Sequence, residues 1–226
     1  MKSFQHVAAA VLAAFALLAA APRARADQGP ALGLSLDGYV APAYDDSVTA
    51  TTPGASKRQS RGLVGFATLA NVGDFAAGGV VDGFPGIFGD GRLTVGGMAG
   101  WQPEVGGHRY QVLGEVGAER FSDVGGNFFN SPSVHETWLD YVGARLGTSE
   151  SLGPGGHFEL GAWLFVRKDI GDATVSNTTS NFLGGDSTTT QYQLGGYTAG
   201  AALRVGLRFD QRRVAGIDST ELASGP

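Results

Sequence analysis

The chain has 226 residues, with 16 basic and 21 acidic side chains, a net charge of −5 and no cysteine. An acidic balance argues against nucleic acid as a partner, and a chain without cysteine has neither a disulfide nor a lipid-modified N-terminal cysteine. Its 37 glycines lie scattered through apolar stretches and oppose long helices. Beyond the first 26 residues no segment shows a sustained i, i+3, i+4, i+7 stripe, so the chain reads as all-β.

Residues 1–26 have the pattern of a secretory signal peptide. Lys2 supplies a positive start, 7–21 is an apolar run, and Ala24-Arg25-Ala26 is a small-x-small cleavage site before Asp27. The run is too short to span a bilayer as a helix. Removing Lys2, Arg23 and Arg25 leaves 13 basic against 21 acidic residues, a net charge of −8 on the exported chain.

Eight strand-like segments follow in order, at 31–42, 61–71, 74–82, 91–101, 108–120, 136–147, 156–168 and 191–209. Most alternate with period two. In 91–101, Leu93, Val95, Gly97, Ala99 and Trp101 oppose Arg92, Thr94, Gly96, Met98 and Gly100. In 108–120, Tyr110, Val112, Gly114, Val116 and Ala118 oppose Arg109, Gln111, Leu113, Glu115, Gly117 and Glu119. In 156–168, Phe158, Leu160, Ala162, Leu164 and Val166 oppose His157, Glu159, Gly161, Trp163, Phe165 and Arg167. The last segment is the clearest: Tyr197, Ala199, Ala201, Leu203, Val205, Leu207 and Phe209 face one way, and Gly196, Thr198, Gly200, Ala202, Arg204, Gly206 and Arg208 the other. Two segments depart from the pattern. Both faces of 61–71 are apolar, and Asp140 falls on the face of Trp138, Val142, Ala144 and Leu146, which suggests either a bulge or a shifted boundary in 136–147.

The connections alternate long and short along the chain, as in membrane barrels with short periplasmic turns and longer outward loops. Alternation alone also suits a soluble barrel with its apolar face inside. Three features favour the membrane: long segments, the loop alternation, and a polar face rich in Gly and Arg without a matching set of lysines. From Tyr197 to Phe209 the strand covers roughly 28 Å of height at a tilt near 45°, enough for a bilayer's apolar band. The expected architecture is an eight-stranded antiparallel up-and-down transmembrane β-barrel over 27–210, with a short polar periplasmic tail at 211–226.

The inward face then holds an interior charge network of Asp37, Arg92, Arg109, Glu115, Glu119, Arg145, Glu159, Arg167, Arg204 and Arg208. An eight-stranded barrel is only wide enough for side chains to fill, so this network is expected to plug the lumen, with a narrow charged pore as the alternative. An aromatic girdle is expected from Trp101, Tyr110, Phe158 and Phe209 at the periplasmic rim and from Trp138 and Tyr197 toward the opposite rim. No catalytic, cofactor-binding or metal site is assigned. His157 and Glu159 share a face but lack a third ligand, and His135 with Ser133, near the outer end of the sixth segment, is a weak pair for lipid hydrolysis. Residues 175–191, VSNTTSNFLGGDSTTTQ, have loop composition.

The leader, the eight segments and the sequence LRVGLRF at 203–209, similar to a C-terminal insertion signal ending in an aromatic, resemble the small outer-membrane β-barrel family of the OmpA/OmpX type over residues 27 to about 210. The resemblance implies a monomer in the outer membrane of a Gram-negative bacterium, with outer-membrane lipid around it and the barrel-assembly machinery as its partner during insertion. It implies no cofactor, and a non-enzymatic role in envelope structure or surface contact. Two other readings stay open: a small barrel binding or passing a hydrophobic ligand, favoured by Phe84, Phe88, Phe128 and Phe129 in the outward loops, and a lipid hydrolase using His135 and Ser133.

Overall fold

The computed structural model describes residues 32–51, 60–84, 91–106, 108–122, 124, 136–152, 157–180 and 187–211. The leader at 1–26, residues 212–226 of the tail, Ser133, His135, Phe88, Phe128 and Phe129 lie outside these residues. The strands are β1 Leu32–Asp45, β2 Val48–Ala50, β3 Ser60–Val72, β4 Phe75–Phe84, β5 Gly91–Trp101, β6 Glu104–Val105, β7 His108–Ser122, β8 Thr137–Leu152, β9 Phe158–Ile170, β10 Ala173–Ser180, β11 Ser187–Leu194 and β12 Tyr197–Gln211.

Eight of these, β1, β3, β4, β5, β7, β8, β9 and β12, pair antiparallel in chain order, and β12 pairs back onto β1 to close the ring. Closure leaves the barrel without an open edge, so the ladder bonds of every strand are met by a neighbour. The register runs from Leu32↔Gln211 at one rim to Asp45↔Thr198 at the other. The rim holding both ends of the barrel is here the inner rim, and the opposite one the outer rim. At the inner rim Val72 and Phe75 are paired across a two-residue turn whose Gly73 has φ 60°. That left-handed conformation matches the twist of a tight hairpin and suits glycine.

Three of the sequence expectations, about the strands and loops at 136–147, 175–191 and 191–209, require correction. The run 191–209 is two strands, β11 and β12, separated at Gly195 and Gly196; Gly195 has φ 109°, which ends the ladder there. Residues 175–191 are for the most part not loop: β10 and β11 pair from Ala173↔Leu194 to Ser180↔Ser187, and β2 joins β11 as a third strand. This leaf continues β9, β12 and β1 beyond the outer rim. Finally, β8 carries no bulge, because its register with β7 and β9 is unbroken past Asp140. Asp140 stays on the outward face and sits near the outer rim, paired with Ala118 and Ile170.

The two apolar faces of β3 also have an explanation. Leu63, Ala67 and Leu69 are buried in the lumen, where they pack with Ala41, Ala76, Val80, Met98 and Leu113, while Val64 and Phe66 are exposed on the outside. Apolar packing therefore fills the lumen beside β3, next to the buried polar groups that β1 and β4 contribute.

Candidate functional site

Period two sends alternate residues of every barrel strand into the lumen. β7 shows this from rim to rim: Arg109, Gln111, Leu113, Glu115, Glu119 and Phe121 are all buried, while Tyr110, Val112 and Val116 are exposed on the outer wall. Glycines on the inner faces make room for large neighbours. A Cβ at Gly200 would lie 2.7 Å from the Phe165 ring, and one at Gly161 would lie 2.8 Å from Arg204 Nε.

The inner layer is organised by Glu159 and Arg204. Arg204 Nη2 donates to Glu159 Oε2 at 2.8 Å, Arg204 Nη1 to Gln111 Oε1 at 3.1 Å, and Asp37 Oδ2 lies 3.4 Å from the same guanidinium. Arg109 Nη1 pairs with Glu159 Oε1 at 3.1 Å. Trp163 donates its indole N–H to Gln111 and lies under the Arg204 guanidinium, 4.9 Å from its ring centroid. Below this layer, β6 pairs with the start of β7 at the inner mouth, and Arg208 Nη1 donates to Glu104 Oε2 at 2.9 Å. The Arg208 hydrogen bond holds the Glu104 carboxyl below its usual range, against a smaller opposing effect of burial.

The middle layer is a closed ionic ring. Arg145 Nε donates to Glu115 Oε2 at 2.6 Å, and Arg167 lies 2.8 Å from Glu115 Oε1. Arg167 Nη1 also donates to Asp82 Oδ1 at 2.7 Å, and Arg145 Nη2 reaches Asp82 Oδ2 at 3.2 Å. Two tyrosines cap the carboxylates: Tyr141 donates to Glu115 at 2.6 Å and Tyr39 donates to Asp82. Arg145 stacks within 5.7 Å of the ring centroids of Tyr39, Trp163 and Phe165. Two cations and two anions cancel, which is what burial of four charges requires.

The outer layer centres on Arg92. It forms a two-pronged pair with Glu119 and donates to Asp45 Oδ1 at 2.5 Å and to Thr198 Oγ1 at 2.7 Å. Its guanidinium lies 5.3 Å from the Phe84 centroid and 5.2 Å from that of Phe121. Phe84 therefore belongs to the lumen, which corrects its assignment to an outward loop.

The residues Asp37, Arg92, Arg109, Glu115, Glu119, Arg145, Glu159, Arg167 and Arg204 are thus placed in the lumen and buried, with Arg208 half-buried at the inner mouth. Sequence reading missed Asp45, Asp82, Tyr39, Tyr141 and the outer-rim Asp169. The signal was present: stepping by two from Asp37 reaches Tyr39 and Asp45, and stepping by two from Ala76 reaches Asp82. His157 bonds through Nδ1 with the Arg208 carbonyl at 3.2 Å, while Glu159 is taken up by arginines.

The outer wall is the reverse of the lumen. Trp101, Tyr110, Phe158 and Phe209 are exposed near the inner rim, joined by Phe75, while Trp138, Tyr197 and Tyr44 are exposed near the outer one. Lys168 Nζ sits 4.0 Å from the Tyr197 ring centroid, a cation at the edge of the outer aromatic band. Among the described residues, outward positions on β7, β8 and β9 carry acidic or basic side chains only at Arg120, Asp140 and Lys168 above and at Glu150 below, with the imidazole of His108 also at the lower end. The ten residue steps from Asp140 to Glu150 correspond to roughly 25 Å of height at a tilt of about 40°. An apolar outside and an ionic inside are the reverse of a water-soluble barrel.

The chain is an eight-stranded β-barrel of the outer-membrane type. No protein-family model matches it, and no curated protein matches it. Solved structures that are similar include Neisserial surface protein A, at 13% identity, 79% of this chain, 99% of that chain and a TM-score of 0.48. The N-terminal β-barrel domain of Pseudomonas aeruginosa OprF is similar at 10% identity, 78% and 97% coverage and a TM-score of 0.43. The outer membrane protein OprG from Pseudomonas aeruginosa is similar at 14% identity, 81% and 97% coverage and a TM-score of 0.42. At such identities the fold assignment rests on the barrel's own strand order and closure.

Two concavities bear on what the barrel can hold. A cavity of about 70 Å³ at the inner mouth, lined by Asn71, Gln102, Glu104, Arg109 and Arg208, has room for water and not for a metabolite. A larger apolar groove of about 670 Å³ lies on the outer wall beside Phe66, Gly38, Gly79 and Val205, facing away from the lumen.

Proposed function

We propose that this protein is a non-enzymatic outer-membrane barrel of a Gram-negative bacterium, closed to solutes, that serves envelope structure or surface contact through the parts beyond its outer rim. The observation that carries this reading is the stack of buried, paired ionic layers in the lumen inside an uncharged outer band. Opening a path would separate Arg145 and Arg167 from Asp82 and Glu115, and each unpaired charge left in that space carries a cost of several kcal/mol. The polar face of the β10–β11 leaf, with Thr174, Ser176, Thr178, Gln191 and Gln193, supplies a surface on the outward side. Outer-membrane lipid around the wall, a monomeric state and help from the barrel-assembly machinery during insertion belong to the same reading.

Liposome permeation tests it. Vesicles carrying the purified protein should retain small sugars and ions at the rate of protein-free vesicles. Release at a porin-like rate would reject the closed lumen.

A further inference from the structure

We propose that β2, β10 and β11 form a hinged lid over the outer mouth of the lumen, latched by an apolar seam to the outer ends of β7 and β8. The leaf is amphipathic. Leu194 shares a buried apolar cluster with Phe121, Val124 and Leu139, and Val48, Val175 and Tyr192 pack against that cluster, while Thr174, Ser176, Gln191 and Gln193 are exposed on the other face. Leu194 is wholly buried, and so is Ser47 beside the junction. A polar latch accompanies the seam: Asn177 Nδ2 donates to the Val124 carbonyl at 2.9 Å.

The three strands that lead into the leaf all break at one level, at residues 46 and 47, 171 and 172, and 195 and 196. Gly171 and Gly195 take φ of 92° and 109° there, conformations that side-chain-bearing residues resist, and the leaf becomes a separate sheet. Across the break run a few main-chain bonds, among them Gly195 N to the Ser47 carbonyl at 2.8 Å and Asp46 N to the Tyr197 carbonyl at 2.9 Å. Asp169 Oδ2 accepts from Gly196 N at 3.0 Å and pins the same level. Below the break the barrel ladder is closed on every side. Above it the leaf is held by the seam, by these bonds and by its own pairs, the arrangement from which local opening arises without global unfolding.

Directly beneath lies the outer ionic layer, where Thr198 is buried and bonded to Arg92. Lid opening exposes that layer to the outside and leaves the Arg145–Arg167 ring shut below it. The lid therefore turns the outer part of the lumen into a vestibule whose access is controlled separately from the closed middle.

The chain has no cysteine, so a single introduced thiol reports its own exposure. Thr198→Cys is placed beneath the lid and Ser149→Cys, also buried, toward the inner end. Each is treated in detergent micelles with a charged thiol reagent, with and without the latch substitutions Leu194→Ala and Asn177→Ala. Weakening the latch should speed modification of Thr198→Cys by about tenfold or more and leave Ser149→Cys unchanged. An unchanged rate at Thr198→Cys, or equal acceleration at both sites, overturns the lid. Hydrogen exchange of the unsubstituted protein gives an independent reading: amides of β10 and β11 should exchange together and faster than those of β9 and β12. Protection in the leaf equal to that of the barrel also overturns it.

Discussion

Arg145 lies at the centre of the middle layer, fully buried, between the carboxylates of Glu115 and Asp82 and against three aromatic faces. Replacing it with Met keeps much of the volume but leaves two buried carboxylates sharing Arg167. The expected loss is about 3–5 kcal/mol, measured by urea unfolding of the refolded protein in micelles. Adding Glu115→Gln to Arg145→Met should recover more than half of that loss, since the uncompensated charge is then gone. Strict additivity of the two single effects would refute a shared ionic ring.

Glu104 sits outside the membrane-spanning part, in the β6 turn, and its carboxyl is held low chiefly by the Arg208 hydrogen bond. A carboxyl whose folded pKa lies below its unfolded value stabilises the fold above the unfolded pKa, and that contribution fades as pH falls through the folded one. The stability gap between the parent and Glu104→Gln should therefore be present at neutral pH and vanish in acid. NMR titration of Glu104 should show its pKa rising in Arg208→Gln. At the residue scale the lumen was legible wherever a strand alternated cleanly, as in β7 and β9. Asp82 escaped notice because the inner face of β4 is otherwise Ala76, Gly78, Val80 and Phe84, so its one carboxylate had no polar neighbours in sequence to mark the face.

At the scale of elements, β9 discriminates between membrane and water. Leu164 is 61% exposed on the outer wall near mid-height, a position where a water-soluble barrel would accept arginine freely. In a bilayer Leu164→Arg should cost about 2–4 kcal/mol, read from refolding equilibria in lipid vesicles. A near-zero change there would contradict the lipid-facing wall. Asp140 lies on the same wall but near the outer rim, where a charge costs little, so β8 tolerates it without a bulge. The leaf was hidden for a different reason. Serine, threonine and asparagine dominate β10 and β11, and the few apolar residues that mark their buried face, Val175, Tyr192 and Leu194, are too sparse to read as a strand.

The whole molecule is defined by closure. Eight strands give a ring just wide enough for side chains, so the ionic layers and the apolar packing of Leu63, Leu69 and Val80 fill it together. Such a closed hydrogen-bonded ring resists detergent until heated. Unheated samples should run as a compact band on a detergent gel and shift on boiling; free solubility without detergent and no shift would contradict the membrane barrel.

Period two along the chain was enough to sort residues into two faces and to count eight barrel strands, because side-chain direction in a strand is a local property of the backbone. Local pattern could not choose partners. Which arginine meets which carboxylate depends on register between strands far apart in sequence, as with Arg92 and Asp45 or Arg204 and Asp37. The turn of the leaf across the mouth depends likewise on Gly171 and Gly195 breaking their strands at one level, which only the paired sheet brings together.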